Sequence, residues 1–289
     1  MILLTGATGQ IGRELVRELS GARVKFRALV RSAGKAETIR EAGGEAVVGD
    51  YADPRALAAA VSGVQTLFLL TPTGPDKVSV EGRIVEEAAR AGAARVVKIS
   101  AIGADAADPP IFLRLHRDAE RRIDEIGLPR TWLRPSFFMQ NHLTFTGTIR
   151  SHGAIFAPAG AGRHADIDVR DIAAAAARVL TEDGHEGRAF DLTGPEAQSL
   201  HDAARKISAI TGRDVRFVDV PPEEARRAMT AAGMSEWVAD GLIDLYAWFQ
   251  RGEGTTNGSA VTLDLEEILD RQARSFETFI RENLVAFGG

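Results

Sequence analysis

The chain contains no cysteine, which removes disulfides, thiolate nucleophiles, iron–sulfur clusters and cysteine zinc sites together and points to a cytoplasmic setting. A positive charge excess is also missing. The net charge is −5, so no overall field draws nucleic acid or an anionic membrane surface, and neither is an expected partner. Long apolar runs are absent as well. Residues 1–5 stop at Gly6 without a basic leader, too short for a signal-peptide core, and the small apolar run 172–177 is cut by Arg178. The six histidines are scattered without ligand spacing, and neither Gly-x-Ser-x-Gly nor His-Glu-x-x-His occurs, so neither a metal site nor a hydrolase is expected. Asn257-Gly258-Ser259 spells a glycosylation sequon but reads more simply as a loop turn, with 252–258 as a mobile link.

What is present is a globular mixture, 45% hydrophobic and 26% charged over 289 residues, enough for a nucleotide-binding lobe plus a smaller appended one. Up to about residue 135, β-rich apolar runs (1–5, 24–30, 46–48, 66–70, 95–100, 131–133) alternate with helical patterns (from 10, then 33–42, 54–62, 80–91, 113–126). That alternation predicts an α/β fold, a Rossmann-like doubly wound parallel sheet covered on both faces. Residues 1–135 form the expected first domain, with 165–182 packing back on it. Residues 136–289 are mostly a smaller C-terminal α/β substrate lobe. There the pattern predicts helices at 168–180 and 201–211, strands at 189–193 and 215–220, helical spacing within 222–249, and a closing helix over 264–284.

Between the first strand and helix lies Thr5-Gly6-Ala7-Thr8-Gly9-Gln10-Ile11-Gly12. Glycines spaced by three at a strand-to-helix turn let backbone N–H groups and the helix N-terminus face a pyrophosphate. Alone the spacing is a weak signal, since a tight turn also uses glycine. Its place after a leading strand and before an amphipathic helix favours a dinucleotide site at Gly6, Thr8, Gly9, Gln10, Ile11 and Gly12. An acidic residue about twenty positions on would bind the free ribose of NAD, but the residue found is Arg31, with Ser32 and Lys35 close by. A guanidinium and an ammonium there suit the 2′-phosphate, so the expected cofactor is NADP(H). The competing reading of Arg31 and Lys35 is a solvated basic turn. Asp50 and Tyr51 are placed to contact adenine, and Leu70, Thr71 and Pro72 to line the path to nicotinamide.

The loop, Arg31, Gly49-Asp50, Lys98-Ile99-Ser100-Ala101 and Leu133-Arg134-Pro135 together resemble the atypical short-chain dehydrogenase/reductases, in particular the NmrA-like branch, over essentially the whole chain. The branch holds NADPH-dependent quinone reductases, triphenylmethane-dye reductases, imine-reducing enzymes of alkaloid pathways, relatives of isoflavone reductase, and redox sensors that bind NADP without turnover. The segment Ala232-Gly233-Met234 with the Trp237 helix looks most similar to the alkaloid-pathway reductases and their bacterial relatives. The wider superfamily protonates its carbonyl substrate with a Tyr-x-x-x-Lys pair. On that pattern, counting back from Gly127-Leu128-Pro129, Phe112 takes the tyrosine position and His116 the lysine position. Phe112 has no proton to give. The resemblance therefore implies Ser100, His116 and Asn141 around the acceptor, with Pro135 and Phe137 bridging it and the nicotinamide.

His116 titrates near neutrality when unperturbed and suits proton donation, although an i,i+4 pair with Glu120 is an equally good reading. Phe137, Phe138 and Met139, like Trp237, Trp248 and Phe249, read as pocket wall or as core. Asp166, Asp168 and Asp171 read as helix caps rather than metal ligands. The expectation is an NADPH-dependent oxidoreductase passing hydride to a small, planar, apolar acceptor such as a quinone, an iminium or imine, or a dye. Its partner is that small molecule, with a homodimer left open. The alternative is a non-catalytic NADP(H)-binding redox sensor.

Overall fold

The computed structural model describes residues 1–251 and 259–289, so the expected link 252–258 and the Asn257-Gly258 part of the sequon lie outside the described residues. The first half reads β1 (Ile2–Leu4), α1 (Gln10–Gly21), β2 (Phe26–Val30), α2 (Ala33–Glu41), β3 (Glu45–Val48), α3 (Pro54–Val61), β4 (Thr66–Leu69), α4 (Lys77–Arg90), β5 (Arg95–Ile99), α5 (Ile111–Ile126) and β6 (Arg130–Pro135). Local chemistry sets these bounds. Ile11, Leu15, Val16 and Leu19 fall on one face of α1 and are buried, as an amphipathic helix on a sheet requires. Asp53 caps α3 by accepting the Arg55 N–H, with Pro54 in the first turn. Gly127, at φ 81, ends α5 in the left-handed region.

The second half continues through a 3-10 turn (Met139–Phe145), α6 (Thr146–His152), β7 (Ala154–Ala157), β8 (Arg163–His164), α7 (Val169–Thr181), β9 (Ala189–Leu192), β10 (Gln198–Ser199), α8 (Leu200–Thr211), β11 (Arg216–Asp219), α9 (Pro222–Ala231), α10 (Glu236–Gln250), α11 (Asp264–Leu269) and α12 (Phe276–Glu282). Seven parallel strands form the main sheet in the order β3-β2-β1-β4-β5-β6-β9. The order reverses between β1 and β4, and such a switch point leaves a crevice at the carboxyl ends of the strands. One face of the sheet packs on α1 and α7 through Leu15, Leu19, Ile172 and Val179. The other packs on α3, α4 and α5 through Leu57, Ile84, Val85 and Ile123. A separate aromatic-rich core, including Phe217, Trp248, Phe249, Phe276 and Phe279, holds the second lobe.

The chain thus returns to the first lobe over more than 165–182, because β9 pairs with β6 in the main sheet. Two helical expectations are corrected and one is divided. The terminal helix 264–284 is two short helices, because Asp270 is left-handed at φ 54 and the chain turns so that Arg271 and Arg274 meet Asp171. The helical spacing within 222–249 belongs to two helices, α9 and α10, parted around Gly233 at φ 91. Helix α4 starts at Lys77 rather than at residue 80, which brings a buried lysine into its first turn.

Candidate active site

The three glycines after β1 do three different jobs. Gly6 is left-handed at φ 66, and a side chain there would strike the Leu70 carbonyl. At Gly12 a side chain would drive into the backbone of Gly6 and Ala7, so this glycine lets α1 lie against the loop. Gly9 is different: the nearest atom to an added Cβ is the Gly6 oxygen at 3.4 Å. Among the described residues nothing demands a glycine there. It is exposed, it is the N-cap of α1, and no described side chain caps that helix. Free N–H groups beside a position kept bare on its outer side fit a pyrophosphate drawn close to the backbone. Thr8 and Gln10 flank it at the surface, whereas the Ile11 side chain is in the core. Thr5 fixes the loop by donating to the Phe68 and Leu70 carbonyls and accepting the Leu70 N–H at 2.8 Å.

At the end of β2, Arg31 is exposed, and neither it nor Lys35 has an ion-pair partner among the described residues. Ser32 is occupied as the α2 cap, accepting from the Lys35 N–H. Tyr51 stands between Arg31 and the loop. Burial pushes its phenol up, while the Gly6 N–H and the Arg31 charge pull the other way. Asp50 bonds the Ala52 N–H.

Past β4, Thr71 is buried and leads into a charged cluster beneath the sheet's carboxyl edge. Its hydroxyl donates to Glu81 at 2.6 Å and accepts from Lys77 at 3.1 Å. Glu81 pairs with Lys77 at 2.7 Å and with Lys98 at 2.9 Å, and all three side chains are at most 1% exposed. Lys98 reaches His116 Nδ1 at 3.3 Å. Burial and the charges of Lys98 and Lys77 hold His116 well below its ordinary range, so the imidazole is neutral. Burial and Lys98 bring Lys77 down to about 8, against Glu81. Despite its burial, Glu81 lies below the usual carboxylate range because two ammonium groups face it. These charged groups were missed as a site in the sequence. The signal was a lysine inside the apolar strand Arg95–Ile99, since a strand interior does not bury a charge without a partner.

Ser100 points elsewhere: its hydroxyl donates to Glu120, which Arg134 grips through Nε at 3.0 Å and a terminal nitrogen at 2.7 Å. Glu120 is therefore held by Ser100 and Arg134, and His116 by Lys98 rather than by an i,i+4 contact. Phe112 lies 5.3 Å from Trp237, ring centre to ring centre, and touches Gly241, where any side chain would collide with it. Asp244 of the same helix, α10, caps α5 by accepting the Ile111 N–H at 3.0 Å. The second lobe thus covers the start of α5.

Leu70 is half-buried and Pro72 exposed at the mouth. Pro135 is buried at the end of β6 and its carbonyl accepts the Ile102 N–H. Phe137 packs 4.6 Å from His164 and 6.0 Å from Phe249, toward the second core. Asn141 is half-buried in the 3-10 turn. Trp248 and Phe249 are core, while Trp237 is half-buried. Of the three aspartates read as caps, only Asp168 caps α7. Asp166 accepts from His142, His164 and Gln198, and Asp171 binds Arg271 and Arg274. The fold thus gathers the loop, Leu70, Thr71, Tyr51, Arg31 and His116 around the carboxyl ends of β1, β2, β4 and β5, with Ser100 turned into α5.

Residues 6–183 match the NAD(P)H-binding family model. Over all of its length the chain is 40% identical to 99% of the NAD(P)H azoreductase of Xenophilus azovorans. The NADPH complex of quinone oxidoreductase QOR2 from Escherichia coli superposes with TM-score 0.89 at 26% identity, covering 98% of this chain and 99% of that one. Triphenylmethane reductase of Citrobacter with NADP(H) superposes with TM-score 0.87 at 25% identity over the same shares. The chain belongs to the NAD(P)H-binding family, among NAD(P)H-dependent reductases.

Proposed function

We propose that the protein is an NADPH-dependent reductase of small, planar, electron-poor acceptors, with azo compounds, quinones and cationic dyes as the leading classes. When bound, the dinucleotide supplies a hydride. Gly9 and the first N–H groups of α1 receive its pyrophosphate, and Arg31 with Lys35 receives the 2′-phosphate. The observation that carries the acceptor class is the start of α5. Phe112, packed on Trp237, stands where the superfamily pattern has a phenol, and the neutral His116 lies one turn on along α5. An aromatic wall and one weak acid suit acceptors that take hydride readily, rather than simple ketones that need a stronger acid. Similarity along the whole chain to an azoreductase adds the azo bond to the quinone, iminium and dye classes the residues suggested.

The test follows oxidation of NADPH by the purified protein with one azo dye, one quinone and one triarylmethane cation. Turnover with at least one is expected. Tight NADP(H) binding with no turnover on any of them would replace this reading with the sensor. The cofactor preference is tested separately: Arg31→Asp weakens NADPH by about ten- to hundredfold while NADH changes little. Equal weakening of both would remove Arg31 from the 2′-phosphate.

A further inference from the structure

Lys98 is fully buried on a central strand; its Nζ donates to the Ile99 carbonyl at 3.1 Å, stands 3.3 Å from His116 Nδ1 and forms an ion pair with Glu81 Oε2 at 2.9 Å. An ammonium has donors and no lone pair, so any nitrogen it bonds must offer one. Nδ1 of His116 is therefore bare, and the neutral ring carries its proton on Nε2. Among the described residues Nε2 has no hydrogen-bond partner, and it is not sealed from solvent. The ring of this half-buried residue thus presents a single N–H, of fixed tautomer, on its unpartnered side.

We propose that Lys98 is a positioning residue that locks His116 in the Nε2–H form and resupplies the ring with a proton as one leaves for the acceptor. The inference rests on the reductase reading above. Reducing an azo or quinone acceptor adds one hydride, supplied by the reduced dinucleotide, and one proton. As the Nε2–H bond breaks toward the acceptor nitrogen or oxygen, an Nζ–H of Lys98 passes to Nδ1. No imidazolate forms, and Lys98 is left as an amine beside the Glu81 carboxylate. Water then protonates Nε2 and the Nδ1 proton returns to Lys98, so the net proton comes from solvent. Glu81 holds the ammonium in place, and Lys77 and the Thr71 hydroxyl hold Glu81. A triarylmethane cation differs chemically: it takes hydride alone and ends neutral, so it draws on no proton.

The variant to make is Lys98→Met, which keeps the volume and leaves one carboxylate facing one ammonium, so the cluster loses its excess charge rather than its balance. The ratio of kcat on the azo or quinone acceptor to kcat on the triarylmethane cation falls by about a hundredfold. An unchanged ratio overturns the proposal. Independently of turnover, 15N NMR of histidine-labelled protein, with His116→Asn to assign the signal, reads the ring directly. Wild type shows the Nε2–H form with Nδ1 bare, and Lys98→Met loses that single form. A proton on Nδ1 in the wild type, or an identical tautomer in the variant, overturns it. Should no acceptor be reduced, the reductase reading fails by itself, and the NMR result still decides the role of Lys98.

Discussion

In the first lobe Glu81 sits between two ammonium groups; in the second, Asp166 sits between two imidazoles, with Gln198 donating at 2.7 Å as a third partner. Both carboxylates are buried, and both are held below the usual range by the partners around them. They differ at their loose ends. Around Asp166 the unpartnered atoms, His142 Nδ1 and Gln198 Oε1, are sealed, and aromatic rings close over the imidazoles: Phe276 lies 4.5 Å from His142 and Phe137 4.6 Å from His164. Around Glu81, Oε2 is likewise sealed, held by an ion pair without an aligned hydrogen bond, but the cluster carries an extra cation and ends in a His116 nitrogen that is not sealed. An enclosed network built around a fully partnered carboxylate specifies a core. One with surplus charge and an open donor is poised to exchange a proton, and such arrangements gather at functional sites.

The comparison breaks most readily at Glu81. Glu81→Ala strands two ammonium groups out of water, and a loss of about 3–5 kcal/mol is expected in denaturant unfolding. Adding Lys98→Met should return much of it by leaving a single lysine; no recovery would mean that packing rather than charge dominates there. At Asp166 the effect is smaller. Asp166→Asn costs about 1–3 kcal/mol and leaves the Kd for NADPH where it was, so weaker cofactor binding would contradict a purely structural role. Because the folded pKa of Asp166 is depressed, its contribution is present above the unfolded value of about 4 and is lost as pH falls further. Stability curves of wild type and variant therefore converge in acid.

Lys77 gives the finest distinction. Its folded pKa of about 8 lies below its ordinary 10.5, so between these values the unfolded chain holds a proton that the native protein has lost. Wild-type stability then rises with pH relative to Lys77→Met, by about 1 kcal/mol from pH 8 to pH 9. A flat difference would remove Lys77 from the set of strained charges.

Much of this was legible beforehand, and what escaped did so for physical reasons. The sheet strands announce themselves as apolar runs, and the glycine turn is local chemistry. Arg31 is read by its distance from the loop. Lys77 and Glu81 are an i,i+4 pair, a pattern that normally marks a solvated helix face, and only the packing of α4 turns it inward. His142 of the 3-10 turn, His164, Asp166 and Gln198 are brought together by the antiparallel pairing of β8 with β10, which neighbouring residues do not announce. Asp166 was misread as a cap because a helix does begin nearby, at Val169, with Asp168 already capping it. The terminal segment misled because its apolar residues keep helical spacing across a left-handed break at Asp270.

The position of β9 has a consequence for how the molecule is made. The chain leaves the sheet at Pro135, builds α6, β7 and β8, and only then returns through α7 to lay Ala189–Leu192 against β6. Until that return, β6 is a bare edge, and an uncovered edge invites pairing with other chains. As the polypeptide emerges during synthesis, the cofactor loop precedes β9 by well over half of the described chain, and the sheet beneath it stays unfinished until Leu192 has been made. A fragment cut after Pro135 would carry the glycine turn, Arg31 and the Lys98 cluster on a scaffold lacking both an edge strand and α7, the helix that covers α1. Such long-range closure slows folding, and it joins the two lobes into a unit that neither can replace alone.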